Sequence, residues 1–270
     1  MSIINNSLSY LMPIIFVGHG SPMNAIENNE FTKGFKTIAQ TIPKPRAILC
    51  ISAHWYTKGT KVTAMENPKT IHDFGGFPDT LYQVQYPAKG NLELAKQIKK
   101  LLSPTAVDLD ESWGIDHGTW SVLTHFYPLA DIPVVQLSID YTKSAEYHFN
   151  LAKKLAFLRQ NGVLIIGSGN IIHNLSLVDF QNFDKDDYGY DWAKEAQKTM
   201  NQWIREENFE ALINYEKQSK AIQLAIPSPD HFLPLIYILA LKEKSEKITF
   251  FNDKLVAGSL SMTSVIISEN

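Results

Sequence analysis

The chain holds eight histidines and a single cysteine. A transition-metal centre in it is therefore expected to use imidazole and carboxylate, not thiolate. The positions of the histidines matter more than their number. His19 sits in Gly18-His19-Gly20-Ser21-Pro22, directly after the apolar run Pro13 to Val17; the glycines permit a sharp turn there and the proline ends the strand. His54 follows the run Ala47 to Ser52, and His173 follows Val163 to Gly167 by way of Ser168-Gly169-Asn170. His231 comes after Pro227-Ser228-Pro229-Asp230, with Asp230 expected as the N-cap of the next helix and His231 in its first turn. His117 lies in the turn-rich stretch Trp113 to Thr119. A lone histidine in a loop is ordinarily a hydrogen-bonding or solvated residue. Several delivered beside strand ends point to a metal site, because neutral imidazoles bind Zn(II) or Fe(II), and an open coordination position makes such a site catalytic. Of the other three, His72 lies among aromatic residues and suits either a pocket wall or packing, His125 suits a supporting role beneath the site, and His148, within an expected helix, suits a structural or exposed one.

The elements that must position these residues follow from the apolar pattern. Runs rich in Ile and Val at 13–17, 47–52, 134–138, 163–167, 248–251 and 259–267 read as strands. Helical spacing appears at 92–102, 144–158, 192–205 and 232–241. This alternation predicts an α/β fold: one layered domain over residues 1–270, with a central mostly parallel or mixed sheet flanked by helices. Ligands of such sheets bind beyond the carboxyl ends of the strands, which is where His19, His54 and His173 arrive. The stretch Asp179 to Tyr190 carries four Asp and is expected to be a solvated loop, since it lacks the spacing and glycine of a calcium loop.

Composition narrows the partners. With 25 Lys+Arg against 28 Asp+Glu, the net charge of -3 gives no broad basic surface, so neither nucleic acid nor an anionic membrane is expected to bind. A hydrophobic content of 44% excludes disorder. Met1 to Met12 has no basic segment leading an apolar one, and no window approaches roughly 18 uninterrupted apolar residues. With Cys50 inside an apolar strand, a cytoplasmic setting is expected. Gly167-Ser168-Gly169 lacks the third glycine of a dinucleotide turn, and neither a Gly-X-Ser-X-Gly elbow nor a His-Glu-X-X-His helix is present.

Taken together, Gly18-His19-Gly20-Ser21-Pro22, Ser52-Ala53-His54-Trp55, His72-Asp73-Phe74-Gly75-Gly76-Phe77-Pro78, Asp116-His117-Gly118 and Gly167-Ser168-Gly169-Asn170-Ile171-Ile172-His173-Asn174-Leu175 resemble the class III extradiol ring-cleavage dioxygenases, in particular their 4,5-DOPA extradiol branch. The likeness covers nearly the whole chain with its motifs in order. It implies one divalent metal ion in a crevice and the opening of a catechol ring, beside its two hydroxyls, by dioxygen. It implies His19, His54 and His231 as metal ligands, His173 as the acid/base residue close to the metal, and His117 as a substrate-pocket residue. Many relatives place Glu at the third ligand position, where this chain has His231 beside the carboxylate of Asp230. An all-histidine set suits Zn(II) as well as Fe(II), with His173 available as a fourth ligand, whereas only iron supports the dioxygen chemistry. The aromatic residues Trp55, Phe74, Phe77, Trp113 and Trp120 can wall a planar-ring pocket or pack in the core. Two other functions fit the same residues: a zinc-dependent amide or ester hydrolase with Glu111 or Asp116 as its base, and a non-catalytic binding protein on the same fold.

Overall fold

The computed structural model describes residues 10–269; most of the N-terminal stretch inspected for a targeting segment lies outside the described residues. In chain order the elements are β1 (Ile14–Gly18), α1 (Glu30–Thr41), β2 (Ala47–Thr57), β3 (Thr60–Thr63), α2 (Asp79–Tyr82), α3 (Leu92–Leu101), β4 (Val107–Asp110), α4 (His117–Phe126), β5 (Val134–Asp140), α5 (Ala145–Lys153), α6 (Ala156–Gln160), β6 (Val163–Gly169), α7 (Asp191–Arg205), α8 (Phe209–Ile213), α9 (Lys220–Ala225), α10 (Leu233–Leu239), β7 (Lys247–Phe251), β8 (Leu255–Val256), β9 (Leu260–Ser261) and β10 (Ser264–Ser268). Eight strands make one mixed sheet in the order β4-β3-β5-β2-β6-β1-β10-β7. At its centre β5, β2, β6 and β1 run parallel, while β10 and β7 close one edge antiparallel.

The central strands are rich in apolar residues because both faces are covered. Ile14, Phe16, Leu49, Ile51 and Ile165 point to a core shared with α3, α5, α7 and α10, and the alternate residues Ile15, Val17, Ile48, Cys50 and Ile166 point to a second core against α1 and α4. Each fully buried Ile or Leu contributes about 1.5–3 kcal/mol. The buried Arg159 donates to the Met12 and Leu241 carbonyls and pairs with Glu246, tying the entry of β1 to the end of the α10 segment. Among the described residues no helix is long and apolar enough to cross a membrane.

Three expectations need correction. The helix expected at 144–158 is broken into α5 and α6. Bonds of the tighter i to i−3 kind, Lys154 N–H to Leu151 O and Leu155 N–H to Ala152 O, close the turn between them, and Leu155 and Leu158 are buried in the core. The strand expected at 259–267 is two, β9 and β10, separated where Met262 N–H turns aside to the Lys254 carbonyl. Strand β2 does not end at Ser52 but continues to Thr57, with a register shift between Ile51 and Tyr56. The short strands β3 and β4 carry no apolar run and escape periodicity altogether.

His148 is fully buried on α5, its ring between the Tyr237 hydroxyl of α10 at 2.8 Å and the Asp140 carbonyl at 3.1 Å. Burial lowers its pKa to about 4, with Asp140 opposing. A histidine held neutral in the fold stabilises fully above the unfolded value near 6.5 and loses that contribution as pH falls toward about 4, since the unfolded chain then binds the extra proton. Between about pH 7.5 and pH 5 this amounts to about 2 kcal/mol. Urea midpoints of wild type and His148→Gln at the two pH values check it: the acid-induced loss should shrink by about that amount in the variant.

Candidate metal centre and active-site cavity

Strands β2, β6 and β1 are neighbours and parallel, so their carboxyl ends open on one rim. His19 follows β1 with its backbone N–H bonded to the Gly169 carbonyl at 3.0 Å. His54 projects from the irregular stretch of β2 between Ile51 and Tyr56, where the regular alternation of side chains is interrupted. His173 follows β6, its N–H bonded to the Ala225 carbonyl. His231 lies in the turn before α10, whose N-cap is Phe232 and not Asp230; Asp230 instead accepts from His231 Nδ1 at 2.7 Å. His117 is the first residue of α4, with Asp116 as the N-cap accepting from Thr119 N–H. All five rings expected at the site come together. His19 Nε2 lies 3.1 Å from His54 Nε2, ring centroids of His231 are 5.4 and 5.0 Å from those of His19 and His54, and His173 stacks on His231 at 3.5 Å. The tightest ligand trio is His19, His54 and His117, with one nitrogen of each within 4.8 Å of the others.

Hydrogen bonds behind the rings decide which nitrogens face inward. The Ser168 hydroxyl gives its only hydrogen to the Gly118 carbonyl, so at 2.9 Å it accepts from His19 Nδ1. His19 Nε2 is left as a lone pair. Asp230 does the same for His231, and the Asp73 carboxylate faces His54 Nδ1 at 3.4 Å and His117 Nδ1 at 3.0 Å. Two lone pairs directed at one another 3.1 Å apart repel unless a cation lies against both. Protonation is no remedy: burial lowers the pKa of His19 well below the ordinary value, reinforced by His54, His231, His117 and His173, and burial with His117 and His231 does the same to His54 against the opposing pull of Asp73. Burial and His231 lower His173 to about 3. A set of neutral, preoriented imidazoles fits a divalent metal ion. Among the described residues neither ring nitrogen of His173 has a hydrogen bond or an ion pair, whereas Nδ1 of each of the other four faces an acceptor, for His54 and His117 at ion-pair distance only.

Close backbone approach makes this packing possible. A Cβ on Gly118 would stand 2.6 Å from Ser52 Oγ and 2.8 Å from His54 Cδ2, and one on Gly169 would stand 2.1 Å from the His231 carbonyl. Ser52 Oγ donates to Asp116 at 2.7 Å, so the start of α4 is seated directly against the His54 segment.

The rings floor a cavity of about 380 Å³, a size suited to a small molecule. Of the aromatic residues expected to wall it, Phe74 and Phe77 do. Trp55 and Trp113 stack on each other instead, and Trp120 is buried with its indole N–H on the Ile71 carbonyl. The remaining wall includes Phe180 and Phe183 from the acidic loop 179–190. That loop is largely exposed as expected, but it is pinned: Lys254 bridges Asp186 and Glu30, each at 2.6 Å. The two phenylalanines in an otherwise polar stretch were the signal for this role. His72 bonds the Val84 carbonyl, and His125 bonds the carbonyl of Asn24, whose amide in turn holds the His19 carbonyl. Asp73 and Ser168 lie within motifs that gave them no role of their own, and Asn24 lies in none.

Residues 12–266 match the family described as the catalytic LigB subunit of aromatic ring-opening dioxygenase. A 4,5-DOPA dioxygenase extradiol of Escherichia coli K12 is 47% identical over 260 residues, covering 95% of this chain and 94% of that protein. One from Beta vulgaris is 36% identical, covering 91% and 92%. A crystal structure from Escherichia coli K12, of a protein described as uncharacterized, superposes with a TM-score of 0.80 at 41% identity, covering 94% of this chain and 99% of that one.

The seating of α4 makes a specific prediction. Gly118→Ala should push the His54 ring outward and weaken Zn(II) or Co(II) binding by about 10- to 100-fold, measured by competition with a chromogenic chelator. Unchanged affinity would show that the close approach does not position the ring.

Proposed function

The chain belongs to the family of the catalytic LigB subunit of aromatic ring-opening dioxygenase, and from that membership we propose that it opens the ring of a DOPA-like catechol with dioxygen, using Fe(II) held by His19, His54 and His231. It is a metal-dependent extradiol dioxygenase; the substrate, the metal and the residue roles are our reading. Residues 1–270 form one catalytic domain in this reading, and with Cys50 buried in β2 the enzyme is cytoplasmic.

The observation that carries the role assignment is the difference in what stands behind each ring. His19, His54 and His231 each face an acceptor with Nδ1, which leaves Nε2 for the metal. His117 faces one too, but its ring meets Phe74 edge-on at 5.4 Å, against the apolar wall where a planar ring would lie. His173 has none, so its ring is free to take a proton and return it. Iron, when bound, supplies the Lewis acidity that acidifies the catechol hydroxyls and the redox coupling that lets the ring react with dioxygen; zinc supplies only the first. His173, neutral at physiological pH, accepts a catechol hydroxyl proton at a ring nitrogen and later donates it as the ring opens. His117 hydrogen-bonds the reacting oxygens through Nε2. Phe74, Phe77, Phe180 and Phe183 exclude water and sandwich the ring.

Hydrolysis is the poorer fit. Asp116 is fully buried and occupied by Ser52, Gln136 and the Thr119 N–H, and Glu111 is exposed in a turn, so neither candidate base faces the cavity.

Anaerobic reconstitution with Fe(II), followed by oxygen uptake and visible absorbance with a panel of catechols, tests the reading. Uptake stoichiometric with a new absorbing product is expected; no uptake with any catechol despite bound iron refutes it. His173→Ala should lower turnover by about 10²- to 10⁴-fold while retaining most of the metal. Equal loss of both would make His173 chiefly a ligand.

A further inference from the structure

We propose that Asp73 is a positioning residue that sets the tautomers of two site histidines at once, aiming Nε2 of His54 at the metal and Nε2 of His117 into the cavity. The inference rests on reading His54 as a metal ligand.

Asp73 stands between a ligand and a substrate-facing ring. Oδ2 lies 3.4 Å from His54 Nδ1 and Oδ1 lies 3.0 Å from His117 Nδ1, ion-pair distances without the direction of a hydrogen bond. Its orientation is imposed from behind, because Oδ1 also accepts the His117 backbone N–H at 2.9 Å. That N–H belongs to the first turn of α4 and has no partner within the helix, so the helix end and the carboxylate satisfy each other. The segment bearing Asp73 is anchored on both sides: Ile71 N–H bonds the Ile115 carbonyl, the Trp120 indole bonds the Ile71 carbonyl, and His72 bonds the Val84 carbonyl. Among the described residues, the only ion-pair partners of Asp73 are the two imidazoles. Each of the other two site rings with an acceptor has one to itself, the Ser168 hydroxyl behind His19 and Asp230 behind His231. Asp73 alone is shared, so the orientations of His54 and His117, whose ring centroids are 3.8 Å apart, are coupled through one side chain.

At these distances the charge of a carboxylate favours the Nδ1–H tautomer of both rings, and a neutral amide supplies no such charge. In Asp73→Asn the amide oxygen still takes the His117 N–H, but the NH2 group now faces His54 Nδ1 and favours the tautomer with its hydrogen on Nε2, which cannot bind a metal. The full-length protein serves for the test, loaded with Co(II) and with Zn(II). Asp73→Asn should weaken metal binding by about 10- to 100-fold and change the visible absorption bands of the Co(II) protein. Thermal unfolding of the metal-free variant should stay close to wild type. His54→Ala is the companion measurement. If His54→Ala loses the metal while Asp73→Asn keeps wild-type affinity and spectrum, the inference is overturned and the ligand reading stands. If His54→Ala binds as wild type, the ligand reading falls and takes the inference with it. Should the Asn variant fail to fold, Asp73→Glu carries the test: a carboxylate displaced by one methylene should shift the Co(II) bands, and an unshifted spectrum overturns the inference.

Discussion

Five imidazoles within a few ångströms of one another cannot all be charged, and most of the structure around them serves to aim them. Burial and mutual repulsion hold His19 and His54 far below ordinary histidine behaviour. Hydrogen-bond acceptors behind the rings then decide which nitrogen keeps its hydrogen. Such a cluster is unfavourable for an isolated protein. The Nε2 atoms of His19 and His54 converge to 3.1 Å, and a divalent cation lying against both lone pairs would turn their repulsion into attraction.

The fold meets the geometric half of that constraint. Parallel neighbours β2, β6 and β1 end on the same rim, so residues more than a hundred positions apart in the chain arrive together. The sheet supplies a stiff base because both faces are packed. Precision beyond that comes from helix termini: α4 presses its first turn against β2 at Gly118, and the turn before α10 presses against β6 at Gly169, carrying His117 and His231 with them. Side chains larger than hydrogen at those two points would separate rings whose spacing is set by van der Waals contact.

The cavity divides the work between polar floor and apolar wall. Histidines line one side, and Phe74, Phe77, Phe180 and Phe183 line much of the other. Such a pocket favours a flat, weakly charged ring whose polar edge meets the metal, in keeping with the near-neutral charge of the whole chain. The loop that brings Phe180 and Phe183 is tied to α1 through Lys254, Asp186 and Glu30 and to the 255–258 segment by backbone hydrogen bonds at Asp179, Tyr188 and Tyr190.

Much of this was legible in the residues themselves. The Ile/Val runs located the central strands because burial on both faces leaves no room for polar alternation, and Gly or Pro near His19, His173 and His231 marked chain turns that could bring them to one place, whereas His54 has neither and lies within β2. Strands β3 and β4 were invisible because four residues of mixed polarity are too few to show a pattern, and the break between α5 and α6 was invisible because no Gly or Pro marks it. The sequence alone determined the chemistry available, namely imidazoles without thiolates, on an α/β scaffold with ligand-binding strand ends. Only the tertiary structure decided which acceptors stand behind His19 and His231, that Asp73 lies beside both His54 and His117, and that Trp55 and Trp113 stack away from the cavity while Phe180 and Phe183 line it. Those outcomes depend on distances between segments remote in the chain, and local propensity carries no information about them.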